Sequence, residues 1–197
     1  MFRKPSDYDS APSYSSDSIR IPAGGYLCQI LKMEESTTRD GKTPIVKVFY
    51  DVCEGAFSGY FSRLYKLNKQ NPNGKEVKWK GVYTVFPQTK EGATNGAWKG
   101  LLENIEQSNG YKINWSADYD QFKGKKIGLL LREEEFESNI DGTIITVVRA
   151  FASRKYDTIR DGEFEMPQKK TAKASNTNTA ASTEFEKVEV DDDELPF

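Results

Sequence analysis

The stretch Asn95-Gly96-Ala97-Trp98-Lys99-Gly100-Leu101-Leu102-Glu103-Asn104-Ile105 decides the fold, because it carries the clearest helical pattern in the chain. Its apolar residues recur at i, i+3, i+4 and i+7, the spacing of a single helix face: Trp98, Leu101, Leu102 and Ile105. Asn95 is a good N-cap and Asn109-Gly110 a left-handed stop, so the helix is predicted to run between them. We expect all four apolar side chains to face the core.

Three strands are predicted before this helix. The first covers residues 26–34, and an Asp40-Gly41 turn joins it to the second, at residues 43–53. A short helix is predicted at residues 60–66 and the third strand at residues 77–86. The second strand alternates cleanly, with one apolar and one mixed face: Val46, Val48, Tyr50 and Val52 against Ile45, Lys47, Phe49 and Asp51.

Two strands are predicted after the helix. The fourth covers residues 126–132, with Ile127, Leu129 and Leu131 buried. The fifth covers residues 143–152 and carries Arg149 and Phe151 on one face. Residues 133–142 between them are predicted as an acidic hairpin loop, whose solvated Glu133-Glu134-Glu135 tip would repel nucleic acid.

The order of three strands, one helix and two strands is that of the five-stranded OB-fold barrel, whose helix plugs one end of the barrel. We therefore predict an all-β fold with one helix. Changes in composition divide the chain into a disordered N-terminal arm (1–18), the OB domain (19–167), a flexible linker (168–190) and an acidic docking tip (191–197).

Composition excludes several classes of function. The 197 residues include no His and only two Cys, which argues against His-based catalysis, a disulfide scaffold and a zinc cluster. The sequence offers no secretory signal and no stretch of membrane-span length. We expect a cytoplasmic, non-enzymatic protein without a metal, a cofactor or a membrane partner.

Charge is divided unevenly along the chain. Residues 171–197 contain two Lys and seven acidic residues, a net charge of −5. Residues 1–170 contain 26 basic and 23 acidic residues, a net charge of +3. This division predicts a mildly basic body that binds a polyanion and an acidic end that binds a protein partner.

Single-stranded nucleic acid requires flat rings on which bases stack and Lys or Arg for the phosphates. The second, third and fifth predicted strands supply both, in phase on their surfaces: Lys47 and Phe49; Trp79, Lys80 and Tyr83; Arg149 and Phe151. Any single ring of this set could instead belong to the core. A second candidate segment, with weaker geometry, contains Tyr60, Arg63, Tyr65, Lys66 and Lys69.

The chain ends in Asp191-Asp192-Asp193-Glu194-Leu195-Pro196-Phe197. Its acid run would attract a basic surface over a long range. Pro196 stiffens the backbone, and Phe197 with its α-carboxylate suits an apolar pocket with a cationic rim. The ending therefore predicts a segment that docks onto partner proteins.

This ending resembles that of the bacterial single-stranded DNA-binding (SSB) protein family, in which acidic residues precede Ile-Pro-Phe. Pro196 and Phe197 match, Leu195 replaces Ile, and Asp193 and Glu194 supply the acids. The family has the OB fold, and the resemblance implies binding of single-stranded DNA and recruitment of DNA replication, recombination and repair proteins through the tip. The body is similar to SSB-like proteins of phages and mobile elements of Gram-positive bacteria in three features: Gly59-Tyr60-Phe61, Trp79-Lys80-Gly81 and Lys123-Gly124-Lys125.

Two other readings of function remain. The alternative is an OB-fold module that binds a protein partner without DNA, because a net charge of +3 is small for a polyanion binder. A metal-dependent nuclease is disfavoured, since four adjacent acids on a flexible tail cannot hold two metal ions rigidly. The loops after the second and third strands look longer than the family's, so a homo-oligomer is left open.

Overall fold

The computed structural model describes residues 20–70, 76–138 and 142–172. The predicted arm, most of the predicted linker and the docking tip lie outside them. The described elements are, in chain order, β1 Gly24–Thr37, β2 Pro44–Val52, α1 Tyr60–Gln70, β3 Val82–Val85, α2 Gly96–Asn109, a 3-10 helix Tyr119–Phe122, β4 Lys126–Glu137, β5 Ile144–Arg154 and α3 Tyr156–Arg160. The short helix predicted at residues 60–66 is present as α1, whereas α3 was not predicted.

The five strands form one antiparallel sheet in the order β3-β2-β1-β4-β5. This mostly β architecture with few helices is compatible with an OB-like fold. The edge strands β3 and β5 lie in contact, but no β ladder joins them within the described part of the chain. What the structure establishes is thus a curled, open five-stranded sheet.

The core lies on the face of β2 that the alternation predicted. Val46, Val48, Tyr50 and Val52 are all at most 2% exposed. Three residues of β4 are as deeply buried, since Ile127, Leu129 and Leu131 are fully enclosed. Because side chains alternate across a strand, this burial directs the other face of β2, with Lys47 and Phe49, away from the core.

The predicted helix is confirmed as α2. The side chain of Asn95 accepts a hydrogen bond from the Ala97 amide at 2.8 Å, and Gly110 ends the helix in the left-handed conformation at φ 59°. The inner face of α2 buries Leu101, Leu102 and Ile105. Trp98 is partly buried and packs against the same core.

The polar member of β2, Asp51, is buried rather than outward-facing, and it fixes the start of α1. Its carboxylate accepts hydrogen bonds from the backbone amides of Val52 (2.9 Å), Phe61 (3.0 Å) and Ser62 (3.1 Å). The first amides of a helix have no partner within the helix, so a carboxylate at this place stabilises α1. Phe61, 5% exposed, then packs edge-on against Tyr50 with the ring centroids 5.2 Å apart.

β3 begins at Val82, five residues later than predicted. Gly81 sits so close to β2 that a Cβ on it would lie 2.3 Å from the Tyr50 carbonyl oxygen. The Gly81 carbonyl accepts the Tyr50 amide at 2.8 Å and also the Trp79 indole N–H at 3.1 Å. Residues 76–81 therefore meet β2 at this one point and do not pair along it.

β4 extends to Glu137, so the prediction of an acidic hairpin loop at residues 133–142 was wrong. Glu133, Glu134 and Glu135 are strand residues paired with Val148, Val147 and Thr146 of β5. The segment after α3 adds to the outer edge of β4, where the Lys170 amide donates to Glu133 and its carbonyl accepts from Glu135, both at 2.8 Å. Residues 168–172, the described part of the predicted linker, thus lie beside the sheet.

In the described part of the chain, no helix is both long enough and apolar enough to cross a membrane.

The Asp51 contacts lead to a stability prediction. Replacing Asp51 with Ala leaves two helix amides without acceptors, which should lower the free energy of unfolding by about 2 kcal/mol. Asp51→Asn retains one acceptor oxygen and should cost about 1 kcal/mol. Urea unfolding followed by circular dichroism measures both values.

The matched control is Asp157→Ala, which removes a carboxylate that is 64% exposed and paired with Arg160. Exposed ion pairs contribute little, so this variant should stay within about 0.5 kcal/mol of the parent. Equal stability of Asp51→Ala and Asp157→Ala would show that α1 does not depend on Asp51.

Candidate nucleic-acid interface

One large groove, with a volume of about 2130 Å³, runs along β2, β3, β4, β5 and the segment 76–81. All seven residues that the sequence predicted as nucleic-acid contacts line it: Lys47, Phe49, Trp79, Lys80, Tyr83, Arg149 and Phe151. The strand order explains the convergence, because curling of the sheet brings the edge strands β3 and β5 into contact.

The β2–β3 side of the groove presents Lys47 and Phe49, which are partly exposed. In the sheet they lie opposite Thr84 and Val82 of β3. The Lys32 ammonium of β1 stands 5.9 Å from the centre of the Phe49 ring. This side therefore offers one aromatic face with a cation beside it.

Trp79 lies at the groove but is less available than the sequence suggested. Its indole N–H donates to the carbonyl oxygens of Tyr50 (3.2 Å) and Gly81 (3.1 Å), which fixes the plane of the ring. The ring is partly buried and lies 5.7 Å from Tyr65 of α1. Trp79 and Tyr65 thus form an aromatic pair at the wall of the groove.

The prediction of Tyr83 as a stacking residue needs correction. The register of β3 pairs Tyr83 with Val48, so its side chain falls on the core face and is only 4% exposed. Burial raises the pKa of Tyr83 to about 12, which keeps the phenol neutral at physiological pH. Its side chain contributes to the lining of the groove, but the ring is too deeply buried for a base to stack on it. The cause of the error is the late start of β3, because Trp79 and Tyr83 do not share one strand.

The β4–β5 side carries two pairs of an arginine and an aromatic ring. The Arg132 guanidinium lies 4.6 Å from the Phe151 ring centre, and the Arg149 guanidinium lies 4.9 Å from that of Phe136. Arg132 and Arg149 face each other across the two strands. The pairing skips Phe151, which sits at a bulge between Ala150 and Ala152, and a bulge re-aims the side chain it carries.

The acidic run of β4 is ion-paired within the protein. Arg132 holds Glu134 through Nη2 at 2.7 Å and Nε at 2.8 Å. Lys169 reaches Glu135 at 2.6 Å and Glu133 at 3.9 Å. The hydrogen bond from Lys169 lowers the pKa of Glu135. These three acids are therefore strand residues with basic partners, and not the solvated tip that the sequence predicted.

Cations outnumber acids along the groove. Nine basic side chains line it: Arg20, Lys42, Lys47, Lys78, Lys80, Lys90, Arg132, Arg149 and Lys170. Four acidic side chains line it: Glu76, Glu91, Glu133 and Glu134. Two of these acids, Glu133 and Glu134, are ion-paired. The net field of the groove is thus positive, although the whole chain carries a net charge of −2.

Sequence reasoning missed Arg132 and Phe136, because it ended β4 at Arg132. The Asp141-Gly142 pair contained the missing signal. Asp-Gly favours a hairpin connection, which would pair residues after it with residues before it, and the observed partners are Ile144 with Glu137 and Ile145 with Phe136. Counting back from the turn would have extended β4 over Phe136.

No group of three or more potential metal-ligating side chains occurs among residues 20–70, 76–138 and 142–172.

No family model matches the chain, and no curated protein matches it significantly.

The geometry predicts which aromatic residues contact single-stranded DNA. Phe49→Ala and Phe151→Ala should each weaken binding of oligo-dT by about tenfold to a hundredfold, since a base stack contributes about 1–3 kcal/mol. Tyr83→Phe should change the affinity less than about twofold, because this ring lies in the core. Fluorescence anisotropy of a labelled oligonucleotide measures the three affinities.

Intrinsic fluorescence provides the control. Oligo-dT should quench Trp79 at the groove but not Trp115, which is 78% exposed and lies outside it. The quench should therefore disappear in Trp79→Phe and persist in Trp115→Phe. Loss of the quench in Trp115→Phe alone would place the interface elsewhere.

Proposed function

We propose that this protein binds single-stranded DNA in the groove, without strong sequence preference, as a non-enzymatic binding protein. The observation that carries the proposal is the composition of the groove, where three partly exposed rings each have a cation within 6 Å. Lys32 accompanies Phe49, Arg149 accompanies Phe136 and Arg132 accompanies Phe151. This combination is what single-stranded nucleic acid requires of a protein.

Stacking and charge would have separate roles in such a complex. A ring or a guanidinium plane presents the same flat surface to every base, so stacking on Phe49 or on the Arg132 and Phe151 pair tolerates any sequence. The cations beside the rings would neutralise phosphates and release counterions. Affinity would therefore depend on salt more strongly than on sequence.

The proposal includes closure of the sheet into a partly open OB barrel. The contact between the edge strands β3 and β5 supports closure, and so does the position of α2, which packs against β4 and β5. In an OB fold the surface of the second and third strands binds oligonucleotides. Lys47 and Phe49 lie on the corresponding strand, β2.

The proposal also assigns the C-terminal tip, residues 191–197, to recruitment of replication and recombination proteins. Its support is the sequence, in which four acids lead into Leu195-Pro196-Phe197. The acids would draw the tip toward a basic surface, and Phe197 would enter an apolar pocket. Binding of DNA and recruitment would then use separate parts of the chain.

One observation favours the alternative of a protein-binding module. Trp115 is 78% exposed beside a cleft of about 230 Å³ that is also lined by Trp98, Leu102 and Ile113. Two hydrogen bonds between Gln121 and the Asn114 backbone, at 2.9 and 3.0 Å, hold this loop. An exposed Trp on a fixed loop suits a protein contact. A protein that binds a partner here and does not bind oligo-dT would support the alternative.

The experiment that tests the proposal is a titration of labelled oligo-dT at several salt concentrations. We expect binding whose logarithm falls linearly with the logarithm of salt concentration, with a slope of roughly −0.7 per phosphate neutralised. Mixed-sequence oligonucleotides of equal length should bind with similar affinity. Absence of binding at low salt would refute the proposal.

The tip should affect DNA binding and recruitment differently. Deletion of residues 191–197 should leave oligo-dT affinity unchanged or raise it severalfold at low salt, because four acids that compete with phosphates are removed. The gain should fade as salt rises. Phe197→Ala should retain the affinity but abolish capture of replication proteins in a pull-down. Much weaker DNA binding by the truncated chain would contradict a separate docking role.

A further inference from the structure

We infer that α1 carries a second DNA-binding surface, which continues the groove and takes the backbone of a strand too long for the groove alone. This inference rests on the proposed function, because it concerns the same ligand. The surface consists of Arg63, Lys66 and Lys69, and it joins the groove at Tyr65.

The first observation is the charge of α1. Its eleven residues include three cations and no acid. Arg63, Lys66 and Lys69 recur at every third residue and therefore lie along one side of the helix as a stripe. All three side chains are exposed. A helix that only completed the fold would not need a stripe of a single sign.

The second observation is the pairing of charges. Four exposed lysines on other surfaces lie against carboxylates: Lys99 with Glu103, Lys112 with Glu106, Lys126 with Glu54 and Lys169 with Glu135. Within the described ranges no carboxylate comes within 4 Å of Lys66 or Lys69. The charge of the stripe is thus not cancelled locally and remains available to a polyanion.

The third observation is continuity with the groove. Tyr65 and Trp79 both line it, and their rings are 5.7 Å apart. The Lys69 ammonium lies 5.4 Å from the centre of the Tyr65 ring. A DNA strand that stacks on the aromatic pair therefore meets the cations of α1 directly. Tyr65 and Lys69 form a pair of a ring and a cation like the pairs along the groove.

The fourth observation is the rigid attachment of α1. The Asp51 carboxylate binds its first amides, and Phe61 is 5% exposed in the core. The helix is therefore positioned before any ligand arrives. A preorganised surface loses less conformational entropy on binding than a mobile one.

The test uses the full chain and two lengths of oligo-dT, one of about 8 nucleotides and one of about 30. The short one falls within the range that a single OB fold covers, roughly 4–16 nucleotides. In the double variant Lys66→Gln/Lys69→Gln, affinity for the long oligonucleotide should fall about tenfold at roughly 0.1 M salt. Its salt slope should lose about 1.4, which corresponds to two phosphates. Affinity for the short oligonucleotide should change less than about twofold.

The matched control is Lys99→Gln/Lys112→Gln, which removes the same charge from the ion-paired lysines. This variant should bind both lengths like the parent. An equal loss in the control would overturn the inference, because the effect would then follow net charge alone. An equal loss for both lengths would overturn it as well, since Lys66 and Lys69 would then act within the groove.

The outcomes separate this inference from the proposed function. If the parent binds both lengths and the Lys66→Gln/Lys69→Gln variant does the same, the inference fails while the proposed function stands. If the parent binds neither length at low salt, the proposed function fails and the inference fails with it.

Discussion

The groove and the surface beside it depend on one buried carboxylate. Asp51 lies in β2 at 7% exposure and accepts three backbone amides, one from its own strand and two from the start of α1. A buried carboxylate is costly unless it is fully hydrogen-bonded, so these amides and the acid require each other. Asp51 therefore fixes the position of α1 relative to β2 at one end of the groove. β2 carries Lys47 and Phe49, and α1 carries Tyr65.

The placement of acids matters as much as that of cations. The β4–β5 hairpin contains three consecutive glutamates next to the groove, yet Arg132 and Lys169 bind all three within 3.9 Å. Since Arg132 also lies on the Phe151 ring, one guanidinium both neutralises Glu134 and completes an aromatic surface. A hairpin that looks acidic in sequence therefore presents arginine and phenylalanine to a ligand.

The sequence predicted α2, the alternation of β2 and the convergence of the site, because each follows from short-range patterns. Helical spacing and capping residues located α2. The alternation of side chains along β2 placed Val48 on the core face and Phe49 on the opposite face. Tyr83 and the glutamates of β4 were misplaced for a different reason. The late start of β3 results from the approach of Gly81 to Tyr50, and the length of β4 results from its pairing with β5. Both are contacts between distant residues, which local propensity does not encode. Arg132 and Phe136 were missed with the end of β4, although the Asp141-Gly142 pair carried a signal for the hairpin.

A net charge of −2 does not argue against a polyanion ligand here, because the charges are sorted by position. Acids are concentrated in the C-terminal residues 171–197, and several of those in the body lie against lysine or arginine. Along the groove and α1 the balance is reversed, with cations beside Phe49, Tyr65, Phe136 and Phe151. Screening limits each charge to about 10 Å at 0.1 M salt, so a strand in the groove experiences these neighbours far more strongly than charges beyond that distance. Local distribution, rather than net charge, therefore decides which ligand this surface attracts.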